Sequence, residues 1–371
     1  MGQQYVLKKT IVKHEDSVNT LAFSYDGSMF ASGGDDGLVI VFRGNGSGRE
    51  LCCFQLKAPI MTLLWHSRFS HTVIAGDASG DIHTICLNGS TNISTSHFLT
   101  MRISTRFCPQ RNLYYHTINE VPGPVHSIVQ SATMLAISSG KFVQLIKQGT
   151  IGSFHYLLCS QLGDQTWLVA TWEVVAQLPD PPKFPELEGE LPEPMARSLH
   201  FLGANADVLL VTYLDHGVMW AFGWPNSYFI NRLCHHPILI EHGTWKLWTS
   251  NGAYILDPVR CMTSNSWLVH VISHSSICFS GCSAVSPNQK VLAVTNLYDG
   301  IDWYSLDSNH FVDTSFLHTT PHAISGNCIL PVTFIHNGTA VLSGMTTGCA
   351  RITRLKDYSL VESLQHDCEW L

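Results

Sequence analysis

The stretch HEDSVNTLAFSYDGSMFASGGDDGLVIVFR, residues 14–43, contains three short apolar segments separated by two turn signals at 25–27 and 35–37. Each turn ends in glycine, the residue that adopts positive φ without steric cost in a tight hairpin. Small residues at 32–34 allow close approach of neighbouring strands. The pattern predicts three antiparallel strands joined by hairpins.

Copies of the second turn recur along the chain. AGDASGDI, TYLDHGVM, TNLYDGID and SGMTTGCA repeat it, SSGKFVQL is a weaker copy, and each follows apolar segments. The intervals from Gly37 to Gly80, which is 43 residues, and from Gly300 to Gly348, which is 48, approach the ~40–45 residues of a four-stranded propeller blade. The other intervals are longer, and two of them approach twice that unit.

The repeats predict an all-β fold, a β-propeller formed by residues 1–371 as a single domain. Six repeats are clearly visible, and seven blades is the best estimate. Residues 151–195 and 224–280 are irregular and are interpreted as insertions or degenerate blades.

The first repeat resembles a WD repeat, through His14, the apolar residues and Asp-Gly turn that follow it, and the segment Ala31 to Gly37. Phrases such as VTYLDHGV and LAVTNLYDGIDWYSL are similar to uncharacterised fungal WD-repeat proteins. Phe42-Arg43 stands where the family has Trp-Asp. The resemblance therefore implies a propeller in which the usual buried network of His, hydroxyl, Asp and Trp is incomplete.

The composition disfavours several classes of function. The 21 Lys and Arg against 28 Asp and Glu give a net charge of -7, which argues against nucleic-acid binding, because that binding depends on cations that neutralise phosphates. No apolar stretch is long enough for a membrane helix, and residues 1–10 lack a secretory signal. We expect a cytoplasmic or nuclear protein that is not secreted, with reduced cysteines.

No catalytic or metal-binding motif is assembled in the sequence. The 20 histidines include no His-Glu-x-x-His pair, and no Gly-x-Ser-x-Gly elbow occurs. Most of the histidines are interpreted as structural, since WD repeats typically contain one each. We therefore predict no cofactor, no metal and no catalytic residues.

The resemblance also implies a binding face, at the end of the blades that bears the second turn. In WD-repeat proteins this face is lined by the residue after the first apolar position of each inner strand and by residues of the turn. The corresponding positions are Asn19, Asp35, Met61, His126, Arg197, Asp215, Tyr298 and Leu330. Arg197 and Tyr298 are the expected anchors, because Arg and Tyr are enriched at interaction hot spots.

Two functions fit these observations. The first is a non-enzymatic protein-interaction scaffold that binds a peptide or protein partner on the propeller face. The alternative is a propeller enzyme, a hydrolase or cyclase with a site at the central channel, using groups such as His126 and Asp35. Propellers host many unrelated activities, so the fold does not decide between the two.

Overall fold

The computed structural model describes residues 5–67, 71–87, 114–131, 134–148, 172–178, 193–203, 208–214, 217–222, 245–249, 252–256, 268–272, 280–296, 300–306, 315–321 and 329–365. The chain divides into two compact units. The first unit is Leu7–Gln177, and the second is Met1–Val6 with Leu178–Leu371. In the described ranges no helix is long and apolar enough to cross a membrane.

The first unit contains three four-stranded antiparallel sheets, each with its strands in chain order. Sheet 1 is β1 (Val18–Phe23), β2 (Met29–Gly34), β3 (Leu38–Arg43) and β4 (Glu50–Gln55). Sheet 2 is β5 (Ile60–Trp65), β6 (Thr72–Asp77), β7 (Asp81–Cys86) and β8 (Tyr114–Glu120). Sheet 3 is β9 (Val125–Ser131), β10 (Met134–Ser139), β11 (Phe142–Gln148) and β12 (Trp172–Gln177).

The second unit contains three further four-stranded sheets and one hairpin. Sheet 4 is β13 (Met195–Leu202), β14 (Val208–Leu214), β15 (Gly217–Phe222) and β18 (Leu268–Ile272), and the hairpin is β16 (Trp245–Thr249) with β17 (Gly252–Leu256). Sheet 5 is β19 (Ser280–Val285), β20 (Val291–Asn296), β21 (Gly300–Ser305) and β22 (Ser315–Pro321). Sheet 6 is β23 (Val332–Ile335), β24 (Ala340–Gly344), β25 (Cys349–Arg354) and β26 (Leu360–Gln365), with a short 3-10 helix at His336–Gly338.

The turn glycines explain why the hairpins form where the repeat predicts them. Gly37, Gly80, Gly140 and Gly348 have φ values of 72°, 98°, 54° and 78°. Residues other than glycine adopt this left-handed region rarely. Each of these glycines lies between the second and third strands of its sheet, as the sequence alignment of the turns predicts.

The innermost strand of each sheet packs against its neighbour within a unit. In the first unit β1 contacts β5 and β5 contacts β9; in the second, β13 contacts β19 and β19 contacts β23. Between sheets 1 and 2 the core is apolar, with Ala31, Val41, Ile60 and Val73 fully buried. Sheets that pack face to face through alternating apolar residues are what the strand patterns predict.

The two irregular regions of the sequence lie partly outside the described residues. Among the described ones, β12 is the fourth strand of sheet 3, and β18 is the fourth strand of sheet 4. The hairpin β16–β17 therefore lies in the sequence between the third and fourth strands of sheet 4. The described part of the chain accounts for six four-stranded sheets.

Candidate functional site

A β-bulge occurs near the start of the innermost strand in each of sheets 1 to 5. The pairing register skips one residue in sheets 1 to 4, and those residues are Asn19, Met61, His126 and Arg197. A bulge bends the strand and turns the side chain of the extra residue away from the regular alternation. The bulges lie where β1, β5, β9 and β13 begin, and we call this the bulge-bearing end of the sheets. Four positions predicted from the sequence thus share one backbone feature.

Asn19 and Asp35 are brought together at the bulge-bearing end of sheet 1. The Asn19 Nδ2 group donates to Asp35 Oδ1 at 2.6 Å and to the carbonyl oxygen of Ile60, in the next sheet, at 3.1 Å. The turn is fixed further because the Asp35 backbone N–H donates to the carbonyl oxygen of Ser17. Both Asn19 and Asp35 are exposed, so an oriented carboxylate faces solvent there.

Met61 and His126 occupy the equivalent bulges of sheets 2 and 3. Both side chains are half-buried. The residues beside them in sequence, Ile60 and Val125, are fully buried. The first unit therefore presents an amide, a thioether and an imidazole at corresponding positions of three neighbouring sheets.

Arg197 lies on the bulge of sheet 4, in the second unit, and is half-buried. Burial lowers the pKa of its guanidinium, an effect that the nearby Cys282 partly opposes. Arg197 Nη1 lies 3.3 Å from Met195 Sδ, which is a weak acceptor.

Cys282 is a further residue of this kind that the sequence did not predict. The register of β19 shifts between Ser280 and Ser283, so Cys282 lies within the bulge of sheet 5. Burial raises the pKa of its thiol, although the positive charge of Arg197 acts in the opposite direction. Its segment, SGCSAVS, has no apolar residue at the usual first position, so the repeat pattern gave no signal for it.

Leu330 differs from the other predicted positions. It lies two residues before β23 and not on a bulge, since β23 begins at Val332 and pairs regularly with β24. Pro331 stands between them and has no backbone N–H to donate to a ladder, so the strand starts late. The Leu330 carbonyl oxygen accepts a hydrogen bond from Thr295 Oγ1 at 3.2 Å. The two remaining predicted residues, Asp215 and Tyr298, lie outside the described residues.

A buried polar network supports the turn beside Asp35. His14 Nε2 lies 2.7 Å from Ser32 Oγ, and His14 Nδ1 lies 3.0 Å from both carboxylate oxygens of Asp36. Three members of the network expected from the WD-repeat resemblance are thus in place. Phe42 stands where the tryptophan is expected, and it stacks on Phe30 with ring centroids 4.9 Å apart.

Sheet 2 holds its turn with a different imidazole–carboxylate pair. His83 Nε2 lies 2.9 Å from Asp77 Oδ2, while Asp77 Oδ1 accepts hydrogen bonds from Ser79 and from the Asp81 backbone N–H. Potential ligand atoms of Asp77, Asp81 and His83 lie within 4.8 Å of one another, close enough for the three groups to share a metal ion. Because His83 and Asp77 already bond to each other, the arrangement is that of a turn-stabilising pair.

Comparisons with known proteins agree with this geometry. Residues 5–43 match the family model "WD domain, G-beta repeat". The β-propeller domain of Cps50 (Swd1) from Myceliophteria thermophila is similar in structure, with a TM-score of 0.56 and 12% identity over 92% of this chain and 84% of that chain. No curated protein matches the sequence.

The comparisons establish the fold. At 12% identity the structural likeness concerns architecture alone, and the match over residues 5–43 identifies the first repeat. The chain is an all-β protein with the fold of a WD-repeat β-propeller, which confirms the prediction from the repeats. WD-repeat propellers typically mediate protein interactions.

Proposed function

We propose that this protein is a non-enzymatic interaction scaffold that binds a peptide or protein partner at the bulge-bearing end of its sheets. The observation that carries the proposal is the recurrence of a β-bulge at one repeat position in successive innermost strands. Bulges re-aim side chains and are frequent beside functional sites. A binding surface of defined specificity requires a backbone feature that recurs in several sheets and carries a different side chain in each of them.

The side chains at these positions suit a protein ligand. Asn19 and Asp35 supply hydrogen-bonding groups, Met61 is an adaptable apolar contact, and Arg197 is a half-buried cation. Such a mixture of polar groups and an apolar side chain is typical of protein interfaces. No observation among the described residues favours the alternative of a hydrolase or cyclase. We propose a cytoplasmic or nuclear location for the interaction.

Site-specific photo-crosslinking tests the proposal. A benzophenone amino acid placed at Met61 is expected to capture a discrete partner in the native cell. The same group at Tyr25, which is 95% exposed and lies in the turn at the opposite end of sheet 1, is the matched control and is expected not to capture it.

A double substitution examines the anchors. Arg197→Ala with Tyr298→Ala is expected to reduce recovery of the partner that Met61 captures. Failure of the Met61 probe to capture any partner, or equal capture from Tyr25, would contradict the proposed face. Retention of the partner by the double variant would remove Arg197 and Tyr298 as its anchors.

A further inference from the structure

The first unit is electrically asymmetric between its two ends. At the bulge-bearing end, five carboxylates are exposed or half-buried, and they lie beside the turns of sheets 1 and 2. They are Glu15, Asp16, Asp35, Asp81 and Glu120. Asp81 and Glu120 are directly opposite each other in the pairing of β7 with β8, so like charges are adjacent there.

Two further carboxylates at this end are ionised and paired with imidazoles. Burial opposes the ionisation of Asp36 and of Asp77. The hydrogen bonds that Asp36 accepts from His14 and from two backbone N–H groups together outweigh that effect and lower its pKa. Those that Asp77 accepts from His83, Ser79 and the Asp81 backbone N–H do the same for the pKa of Asp77. Among the described side chains, the ammonium groups at this end are those of Lys57 and Lys141, and Lys141 Nζ lies 5.6 Å from the centre of the Phe142 ring. Lys13 directly precedes His14, but its Nζ is paired with Glu50 Oε2 at 3.1 Å.

The opposite end of the first unit has the reverse balance. Arg43 ends β3, Arg49 precedes β4, Lys147 lies near the end of β11, and Lys9 Nζ donates to the carbonyl oxygen of Ser47 in the same loop as Arg49. The carboxylates with described side chains at that end are Asp26 and Glu50, and Glu50 pairs with Lys13 at 3.1 Å. The negative charge is therefore concentrated on the end that carries Asn19, Met61 and His126.

Such a concentration of charge attracts ligands of opposite sign. Charged groups around a surface depression raise the local concentration of a complementary partner and its association rate. The crowding of carboxylates acts on Asp81: burial and the neighbouring charges of Asp77 and Glu120 raise its pKa, and His83 and Lys57 only partly oppose that rise. A cation placed between Asp81 and its neighbours would relieve that repulsion.

From this asymmetry we propose that the partner segment bound at the bulge-bearing end of the first unit is cationic, a peptide rich in arginine or lysine. The inference rests on the proposed function and names the chemistry of its partner. Asp35, oriented by Asn19, is positioned to accept hydrogen bonds from a guanidinium or ammonium group. Met61 lies on the neighbouring sheet, where it contacts the aliphatic part of the same side chain or an adjoining apolar residue.

A labelled peptide of alternating arginine and alanine is the probe, with a peptide of the same length carrying citrulline in place of arginine as the neutral reference. Binding to the full chain is measured by fluorescence anisotropy at about 50 mM and about 300 mM salt. The arginine peptide is expected to bind, to bind more weakly at high salt, and to bind at least about tenfold more tightly than the citrulline peptide.

Two charge-matched variants locate the binding. Glu15→Gln, Asp16→Asn and Asp35→Asn together remove three carboxylates from the bulge-bearing end. The control is Glu50→Gln with Asp357→Asn and Glu362→Gln. It changes the net charge by the same amount, at positions away from the bulge-bearing end. The first variant is expected to bind the arginine peptide about tenfold more weakly than the unmodified protein does. The control variant is expected to bind it with unchanged affinity.

In the peptide assays, three results would overturn the inference: no binding of the arginine peptide, equal binding of the citrulline peptide, or equal losses of binding in the two variants. Equal losses would show attraction to the net charge of -7 and not to this end. The proposed function has a separate readout. A partner captured at Met61 whose contacting segment lacks arginine and lysine would preserve the function and refute the inference, whereas absence of any capture would refute the function itself.

Discussion

His200 is a half-buried residue whose imidazole lies at the contact between sheets 4 and 5. Its Nε2 lies 3.0 Å from both the carbonyl oxygen and Oγ of Ser283, and Ser283 Oγ also bonds to Thr212. Burial lowers the pKa of His200 to about 4, which the hydrogen bond to Ser283 only partly offsets. The imidazole is therefore neutral at physiological pH and donates its proton to the carbonyl oxygen.

This low pKa predicts that stability depends on pH. The unfolded chain takes up a proton at His200 near pH 6.5 and the folded chain only near pH 4, so the free energy of unfolding falls as the pH drops between these values. We expect the urea midpoint to be lower at pH about 5 than at pH about 7.5. His200→Gln removes the titrating group and is expected to reduce that difference. An identical difference in the variant would contradict the assignment.

Single residues also show how much of the candidate site is predictable from sequence. Asn19, Met61, His126 and Arg197 are predictable because the bulge follows the first apolar residue of the inner strand, a pattern visible in the sequence. Cys282 is not, because the bulge of β19 spans a run of small residues. The hydrogen bond that joins Asn19 to Ile60 depends on the packing of sheet 1 against sheet 2, which the local sequence does not specify.

At the scale of elements, the hairpin between β6 and β7 depends on Gly80. Its φ is 98°, and a Cβ placed there would lie 2.0 Å from the carbonyl oxygen of Val121, in the connection to β9. Gly27, in the turn between β1 and β2, also has positive φ, at 67°, but a Cβ there meets nothing within 4 Å. Substitutions at these two glycines therefore distinguish the cost of backbone strain from the cost of collision with a neighbouring segment.

Gly80→Ala is therefore expected to destabilise the protein more than Gly27→Ala. Gly27→Ala, the control, is expected to lower the free energy of unfolding by about 1 kcal/mol through its backbone conformation alone. Gly80→Ala adds displacement of the Val121 segment, for a total on the order of 3 kcal/mol. Urea unfolding of the two variants measures both values. Equal losses would show that the connection to β9 moves without cost.

The strands that the sequence predicts best are those beside glycine turns. The second and third strands of sheets 1, 2 and 6 follow directly from the aligned turns. The fourth strands are harder to predict, because β12 and β18 follow long intervening segments and their pairing is set by contacts distant in sequence. Sequence periodicity indicates that a strand exists, whereas its partner is chosen by tertiary packing.

At the scale of the whole molecule, each of the two units has its own buried core. Ile60 is fully buried between sheets 1 and 2 of the first unit, and Ile301 is 1% exposed between sheets 5 and 6 of the second. In repeat architectures, the free energy of unfolding is approximately the sum of the intrinsic stabilities of the repeats and of the energies of the interfaces between neighbouring repeats. We propose, from the repeat pattern, that residues 1–371 unfold as one domain.

Two matched substitutions test this proposal. Ile60→Ala and Ile301→Ala each remove the same buried groups, at a cost of about 2–5 kcal/mol, but from different units. If the chain is one cooperative domain, each variant shifts a single unfolding transition to lower urea concentration, and circular dichroism and tryptophan fluorescence give coincident curves. If the units unfold independently, each substitution moves only its own part of the signal. The two probes then separate, because three of the ten tryptophans lie in the first unit and seven in the second, so fluorescence weights the second unit more heavily than circular dichroism does. Coincident curves in both variants are the expected result, since an architecture stabilised by interfaces between consecutive sheets loses cooperativity only where such an interface is missing.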